Sequence, residues 1–283
     1  RSWIAVGVNF LSLLLVAVPI MGLSLPLETP STLAASQTPL RIVSGNVQEG
    51  SGDVHRTIQE IMAFEPDIVA LQETARGHEP FQQAFADWHR IRLGEFFVAS
   101  RHPVRVVEHC RAKAFDRWSA VLVEIESPAG LIRLGNVHLA TPRRGATGLT
   151  PFSLLTGDGV DEFVFHQRLR GDEAAETREF LDRWSDRPLL VVGDFNTPTT
   201  SSLFIGHWHG FQSAFEQAGW GYGYTAPCNT DRVWPRNTPW VRIDHILADD
   251  RWAVHACRIG ERDGSDHRLI CAELSLRGRG GSQ

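Results

Sequence analysis

Short apolar runs recur along this chain, and each ends beside a polar side chain able to bind a metal. Leu40–Val43 leads to Asn46, Ile68–Leu71 leads to Glu73, Leu131–Leu139 carries His138, and Leu189–Val192 runs straight into Gly193-Asp194-Phe195-Asn196. Further on, Arg242–Leu247 contains Asp244, and Arg268–Leu274 follows Asp266 and His267. Runs this short and this rich in valine, isoleucine and leucine are predicted strands of buried sheets. Helical patterns lie between them. Asp53–Phe64 sets Val54, Ile58, Ile61 and Met62 on one face, with Ser51 or Asp53 as cap and Glu65-Pro66-Asp67 as stop. Asp172–Trp184 groups Ala174, Leu181 and Trp184. Pro128-Ala129-Gly130 reads as the turn joining strands Ala120–Ile125 and Leu131–Leu139. Strands alternating with helices predict an α/β fold.

The ends of buried strands are where ligand sites collect, because a rigid scaffold meets a backbone free to turn. Taken singly, an Asn or Asp after a strand is an ordinary turn residue, and a lone His is a hydrogen-bonded polar group. Taken together, the set is rich in oxygen donors. Asn46, Glu73, Asp194, Asn196 and Asp266 suit a hard cation, Mg²⁺ or Mn²⁺, and no HExxH or paired-cysteine spacing competes for zinc. His138 and His267 add groups that titrate near neutrality. Carboxylates, a hard metal and histidines are the equipment of phosphoester hydrolysis.

The segments RIVSGNVQ, PDIVALQET, GNVHLA, VVGDFNTP, RIDHIL and GSDHRLI, in this order, resemble the motifs of the endonuclease/exonuclease/phosphatase superfamily. That superfamily includes DNase I-like nucleases, AP endonucleases, inositol polyphosphate 5-phosphatases and neutral sphingomyelinases. The resemblance spans Leu40 to Leu274. It implies a four-layer α/β sandwich, two mainly antiparallel sheets flanked by helices, with the site at one edge. It also implies roles. Glu73 is a direct metal ligand, and Asn46 and Asp266 complete or support the metal site. Asp194 orients or deprotonates the attacking water, and Asn196 holds the phosphate or the water. His267, paired to Asp244, contacts the phosphate or acts as base, and His138 binds the scissile phosphate or assists the leaving group. Arg143 and Arg144 follow His138 closely and are candidates for a second phosphate, against the plainer reading of solvated surface arginines.

Ile4–Leu25 contains no charged residue over 22 positions. Its length predicts an N-terminal transmembrane helix, with a signal-peptide core or a buried helix as alternatives. Arg1 before the stretch, and no basic residue after it until Arg41, orient the rest of the chain outside the cytoplasm. The expected organisation is a transmembrane segment over residues 1–25, a Pro/Ser/Thr-rich linker over 26–39, a catalytic domain over 40–277 and a tail over 278–283. A membrane stretch joined to such a domain, together with GWGYGYTAP, resembles a membrane-anchored bacterial subgroup, some members of which are linked to vancomycin-type resistance and lipid pyrophosphates.

The apolar fraction of 42% over 283 residues is globular, and the formal net charge of −5 excludes a strongly basic nucleic-acid binder. Of the four cysteines, Cys110, Cys228, Cys257 and Cys271, the last two sit in late strand-like runs and can pair as neighbours; free buried thiols are the default. Ala140–Gly171 is long for a connection and suited to shaping a substrate site. Gly219–Trp240 carries Trp220, Tyr222, Tyr224, Trp234 and Trp240, which can stack on bases, meet lipid or pack internally. Three functional readings follow: a membrane-anchored, metal-dependent hydrolase of lipid-linked or small phosphoesters; a DNase I-like nuclease, secreted or tethered; and a catalytically dead membrane-tethered binding module, against which the intact motif set argues. No protein partner is inferred.

Overall fold

Alternating side chains along the apolar runs build two sheets whose inner faces meet. The computed structural model describes residues 2–26, 38–76, 78–148, 153, 156, 158–228, 236–261 and 264–277. In chain order the strands are β1 (Leu40–Asn46), β2 (Ile68–Gln72), β3 (His89–Leu93), β4 (Phe96–Ser100), β5 (Val104–Ala112) and β6 (Arg117–Ser127). They continue as β7 (Gly130–His138), β8 (Leu189–Asp194), β9 (Gln212–Ser213), β10 (Asp244–Ala248), β11 (Trp252–Ile259) and β12 (Ile270–Leu276). The first sheet runs β11-β12-β1-β2-β4-β3 and the second β5-β6-β7-β8-β10-β9. Each is antiparallel except for its central pair, β1 with β2 and β7 with β8. The sheets are therefore mixed, with the same plan in both.

Four layers result. Leu40, Ile42, Ile68 and Ala70 of the first sheet pack against Val121, Leu134, Leu190 and Val192 of the second in the central core. Their strand neighbours point outward. Val43, Val69 and Leu71 meet Ile61 and Phe81 of the helices Val54–Ala63 and Glu79–Ala84. Leu122, Val137 and Val191 meet Leu181 and Trp208 of the helices Asp158–Asp182 and Ser202–Trp208. The period of two in each strand thus serves two cores at once, as expected for sheets covered on both faces.

The helix Val54–Ala63 begins as expected, with the Asp53 side chain accepting the Arg56 N–H at 3.0 Å. The long helix differs from expectation, because it starts at Asp158 and continues through Gly171 to Asp182. Its pattern is inverted. Val160, Val164 and Phe165 are exposed, while Arg170, Glu173 and Thr177 are buried, so apolar periodicity gives no sign of the first half.

The expected transmembrane helix does not form: among the described residues no helix is long and apolar enough to cross a membrane. Helix Ser2–Leu15 has 14 residues, a rise of about 21 Å at 1.5 Å each, against a hydrocarbon core of about 30 Å. Beyond it Val16–Ile20 widens into a π turn, a segment whose sequence includes Pro19 and so lacks one backbone N–H for the helical hydrogen bonds. Gly22 then turns the chain at φ 73°. Ser24 exchanges backbone hydrogen bonds with Gly221 at 2.8 and 3.0 Å, and Tyr224 Oη donates to the Met21 carbonyl at 3.3 Å. The anchoring expectation, and the extracytoplasmic placement that rested on it, are thereby overturned. Residues 27–37 of the expected linker, the tail 278–283 and Trp234 lie outside the described residues.

All four cysteines are buried, and Cys110, Cys257 and Cys271 are free thiols. Cys257 is opposite Ala272 and Cys271 opposite Arg258. Cys257 faces the central core and Cys271 the helix-side core, so they do not form the neighbouring pair that their strands suggest.

Candidate active site

The inner rows of the central strands start apolar and end polar at one edge of the sandwich. β1 reads Leu40, Ile42, Ser44, Asn46; β7 reads Ile132, Leu134, Asn136, His138; β8 reads Leu190, Val192, Asp194. The register aligns these ends, with Asn46 beside Gln72, His138 beside Asp194, and Asp194 beside Asp244. Gly193 makes the β7–β8 pairing possible. Its φ is +135°, and a Cβ there would lie 1.9 Å from the Val137 carbonyl oxygen. Glu73 and Asn196, just past their strand ends, adopt left-handed backbone at φ 54° and 50°. Such backbone costs a non-glycine residue roughly 1–3 kcal/mol and clusters at functional sites.

Asp194 lies at the centre and is almost fully buried. Its Oδ2 accepts from Asn46 Nδ2 and Asn196 Nδ2, each at 3.2 Å, and Oδ1 accepts the Asn196 N–H at 2.8 Å. Two imidazoles flank it. His138 Nε2 and His267 Nε2 are each 3.9 Å from Asp194 Oδ2, too far for a hydrogen bond. Each imidazole has a carboxylate behind it. His267 Nδ1 is 2.9 Å from Asp244 Oδ2, and that hydrogen bond keeps the proton on Nδ1 and turns Nε2 to the cleft. His138 Nδ1 is 3.2 Å from Glu95 Oε2, an ion-pair contact.

Burial alone would lower the His267 pKa, but the charges of Asp244 and Asp194 outweigh it and push it up to about 10. His138 follows the same balance: burial opposes its charge, and the nearby carboxylates of Glu95 and Asp194 raise its pKa. Burial and the nearby Asp244 hold the Asp194 carboxyl above its ordinary range, against the pull of the two histidines. Burial and Glu73 likewise raise Asp266. Glu95 is lowered, since His138 and Arg117 outweigh its own burial.

The cleft holds about 400 Å³ and is lined by Gln48, Glu73, Phe115, Arg117, His138, Ala140, Thr141, Arg143, Asp194, Asn196, Asp266 and His267. Asn46 lies just beneath, with Nδ2 also donating to Glu73 Oε1 at 2.9 Å and Oδ1 receiving the Gln48 N–H. Asp194, Asp244 and His267 offer ligand atoms within 4.8 Å of one another. Asp244 Oδ2, however, is engaged by His267, so this trio is better described as an acid-backed histidine facing a carboxylate. The donors that face the cleft, Glu73 and Asp266, are oxygens, which suit a hard divalent cation. Arg143 is exposed and lines the cleft. The Arg144 side chain lies outside the described residues.

Several contributors escaped sequence reasoning. Glu95 sits between β3 and β4 and supports His138; a carboxylate in a hairpin turn carries no signal of that role. Arg117 bridges Glu95 at 2.9 Å and approaches Glu173 at 3.7 Å. Neutral, buried His245 donates from Nε2 to the Thr197 carbonyl at 2.9 Å. It adjoins Asp244 in sequence and was the one detectable clue among them.

The description "Endonuclease/Exonuclease/phosphatase family" belongs to the family model that matches residues 43–267. No curated protein matches. Among solved structures, the chain is similar to the 3' phosphatase NExo from Neisseria bound to product DNA hairpin, with 18% identity, 83% of this chain and 99% of that one covered, and a TM-score of 0.60. It is also similar to a mannosyl-6-phosphatase from Bacteroides thetaiotaomicron, with 15% identity, 83% and 99% covered, TM-score 0.58. The human Nocturnin catalytic domain with bound sulfate shares 16% identity over 84% and 95% of the two chains, TM-score 0.58. At these identities the structures establish a shared fold. The family model covers most of the chain and every residue of the cleft, and the chain therefore belongs to the Endonuclease/Exonuclease/phosphatase family, whose members are phosphoesterases and nucleases generally dependent on a divalent metal.

Proposed function

We propose that this chain hydrolyses phosphoesters with Mg²⁺ or Mn²⁺ held by Glu73 and Asp266, and with Asn46 steering Glu73 and Asp194. When bound, the ion neutralises charge on the phosphate and in the transition state. The chain's own residues supply the proton transfers and positioning. Asp194 accepts a proton from the attacking water, and its raised pKa makes it a better base than an exposed carboxylate. His267 stays protonated through neutral pH and donates from Nε2 to a phosphate oxygen. His138, backed by Glu95, gives its Nε2 proton to the departing ester oxygen. Asn196 fixes the orientation of Asp194. The observation that carries this reading is the equal spacing of the two imidazole Nε2 atoms, 3.9 Å from the same Asp194 oxygen.

A small phosphoester suits the acidic chain and compact cleft, and the likeness to a sugar phosphatase supports it. Cleavage of nucleic acid is the second reading. It is favoured by the likeness to a phosphatase bound to a DNA hairpin and by Arg117 and Arg143 in the cleft. The test incubates the whole chain with Mg²⁺, Mn²⁺ or EDTA and offers bis-p-nitrophenyl phosphate, a hexose phosphate, a polyprenyl pyrophosphate, plasmid DNA and RNA. Metal-dependent turnover of a small ester is expected. DNA or RNA cleavage lost in His267→Ala supports the nuclease reading, and no turnover of any substrate with either metal overturns both.

A further inference from the structure

Arg170 is a buried guanidinium, 7% exposed, that pairs with no carboxylate among the described residues. Its donors go to neutral acceptors. Nε donates to the Ala140 carbonyl at 3.0 Å, Nη1 to Gln167 Oε1 at 2.9 Å, and Nη2 to the Asn196 carbonyl and Thr197 Oγ1, each at 2.7 Å. One turn further along the same helix, Glu173 is fully buried, and its Oε2 accepts the Ala140 N–H at 2.6 Å. A single turn of helix thus grips both backbone polar groups of Ala140, and with Arg170 alone it reaches the backbone that follows Asp194. Ala140 lies two residues beyond His138. The gripped loops also bond to each other, because Leu139 donates to the Asp194 carbonyl at 2.9 Å and accepts from Asn196 Nδ2 at 2.8 Å.

Burying a charge is unfavourable before any return from its partners. Ala174 and Leu181 show that apolar residues fill neighbouring positions of this helix–sheet contact. A guanidinium here is the costlier choice for stability alone, and what it adds is a fixed distance between two loops. We propose that Arg170, assisted by Glu173, is a positioning residue for hydrolysis, locking the loop after His138 to the loop carrying Asn196 so that His138 and Asp194 face one phosphate at a constant spacing. The inference rests on the hydrolase reading for its consequence in rate, but the locking itself is measurable without turnover.

The experiment compares whole-chain Arg170→Met, Arg170→Lys, Thr197→Val and the Lys/Val double variant with wild type, using bis-p-nitrophenyl phosphate and Mn²⁺. Displaced catalytic groups lose rate more than binding, so kcat is expected to fall about 10–100-fold in Arg170→Met with KM within about twofold. Arg170→Lys keeps part of the activity. The Lys/Val double variant loses less than the product of the two single losses, because both remove the same contact. Should Arg170→Met not fold, Arg170→Lys and isosteric Thr197→Val carry the test. The side-chain amide resonances of Asn196 and the imidazole resonances of His138 are followed in parallel and are expected to move in Arg170→Lys. If wild type turns over nothing, the functional reading fails while these resonances still decide the lock. Unmoved resonances, or multiplicative losses with KM rising in step, overturn it.

Discussion

Gln72 Nε2 donates to Asn136 Oδ1 at 2.6 Å, joining the two sheets through a buried polar pair. The pair sits one residue before Glu73 and two before His138. Asn136 Nδ2 returns a bond to the Leu71 carbonyl at 3.1 Å. The link therefore holds Glu73 and His138 at one height. Gln72→Leu leaves Asn136 Oδ1 buried without its donor and is expected to destabilise by about 1–3 kcal/mol in urea unfolding. The double variant Gln72→Leu/Asn136→Leu recovers part of that loss. A neutral single variant would disprove the pair's role.

Asp194→Asn removes the proposed base while keeping its shape. The rate is expected to fall about 10²–10⁴-fold. The thermal midpoint is expected to fall, because at either oxygen position the new amide nitrogen faces a donor of Asn46 or Asn196. A variant with near-wild-type turnover would shift the base to another group.

EDTA is expected to abolish hydrolysis, and Mg²⁺ or Mn²⁺ to restore it. Glu73→Gln raises the metal concentration needed for half-maximal rate, as a lost carboxylate ligand weakens a hard-cation site. Titration of rate against metal checks this, and an unaltered half-saturation point contradicts it.

Burial pushes the His245 pKa down to about 3, against about 6.5 in the unfolded chain. Between those values the unfolded chain binds a proton that the folded one does not. Its contribution to stability is thus complete above about pH 6.5 and drains away as pH falls toward 3. His245→Gln keeps a donor for Thr197 and removes the titration. The stability gap between pH 7.5 and pH 4.5, read from urea midpoints, is expected to shrink in the variant.

Helix Ser2–Leu15 leaves Trp3 84% and Phe10 61% exposed. A chain beginning at Met21 retains the Ser24–Gly221 pairing and should melt at the same temperature. It should also self-associate less in light scattering, since a broad apolar surface is gone. A lowered midpoint would mean that the helix supports the domain.

The strand ends were readable because alternation and composition coincide there: Asn46, His138 and Asp194 are the polar termini of inner-facing apolar rows. Gly193 and Asp194 were readable as the end of the run Leu189–Val192 and as part of the VVGDFNTP motif, while the contact that leaves room only for glycine against Val137 belongs to the fold. Glu95 was not, because a turn carboxylate finds its histidine through the fold and not through spacing. Arg170 and Glu173 were hidden further, since their partners are peptide groups, which leave no trace in side-chain pattern. At the N-terminus, apolar content was plain, but the break at Pro19 and Gly22 depends on backbone geometry that hydropathy averages away.

Neither sheet owns a complete site. Asn46, Glu73 and His267 stand at strand ends of the first, and His138, Asp194 and Asp244 at those of the second. A slip of one layer over the other by a single residue, about 3.3 Å, would pull His267 away from Asp194 and Asp244 while leaving each sheet intact. Turnover is therefore a ruler laid across the sandwich, and it goes dark at a displacement too small for any spectroscopic probe of secondary structure to notice.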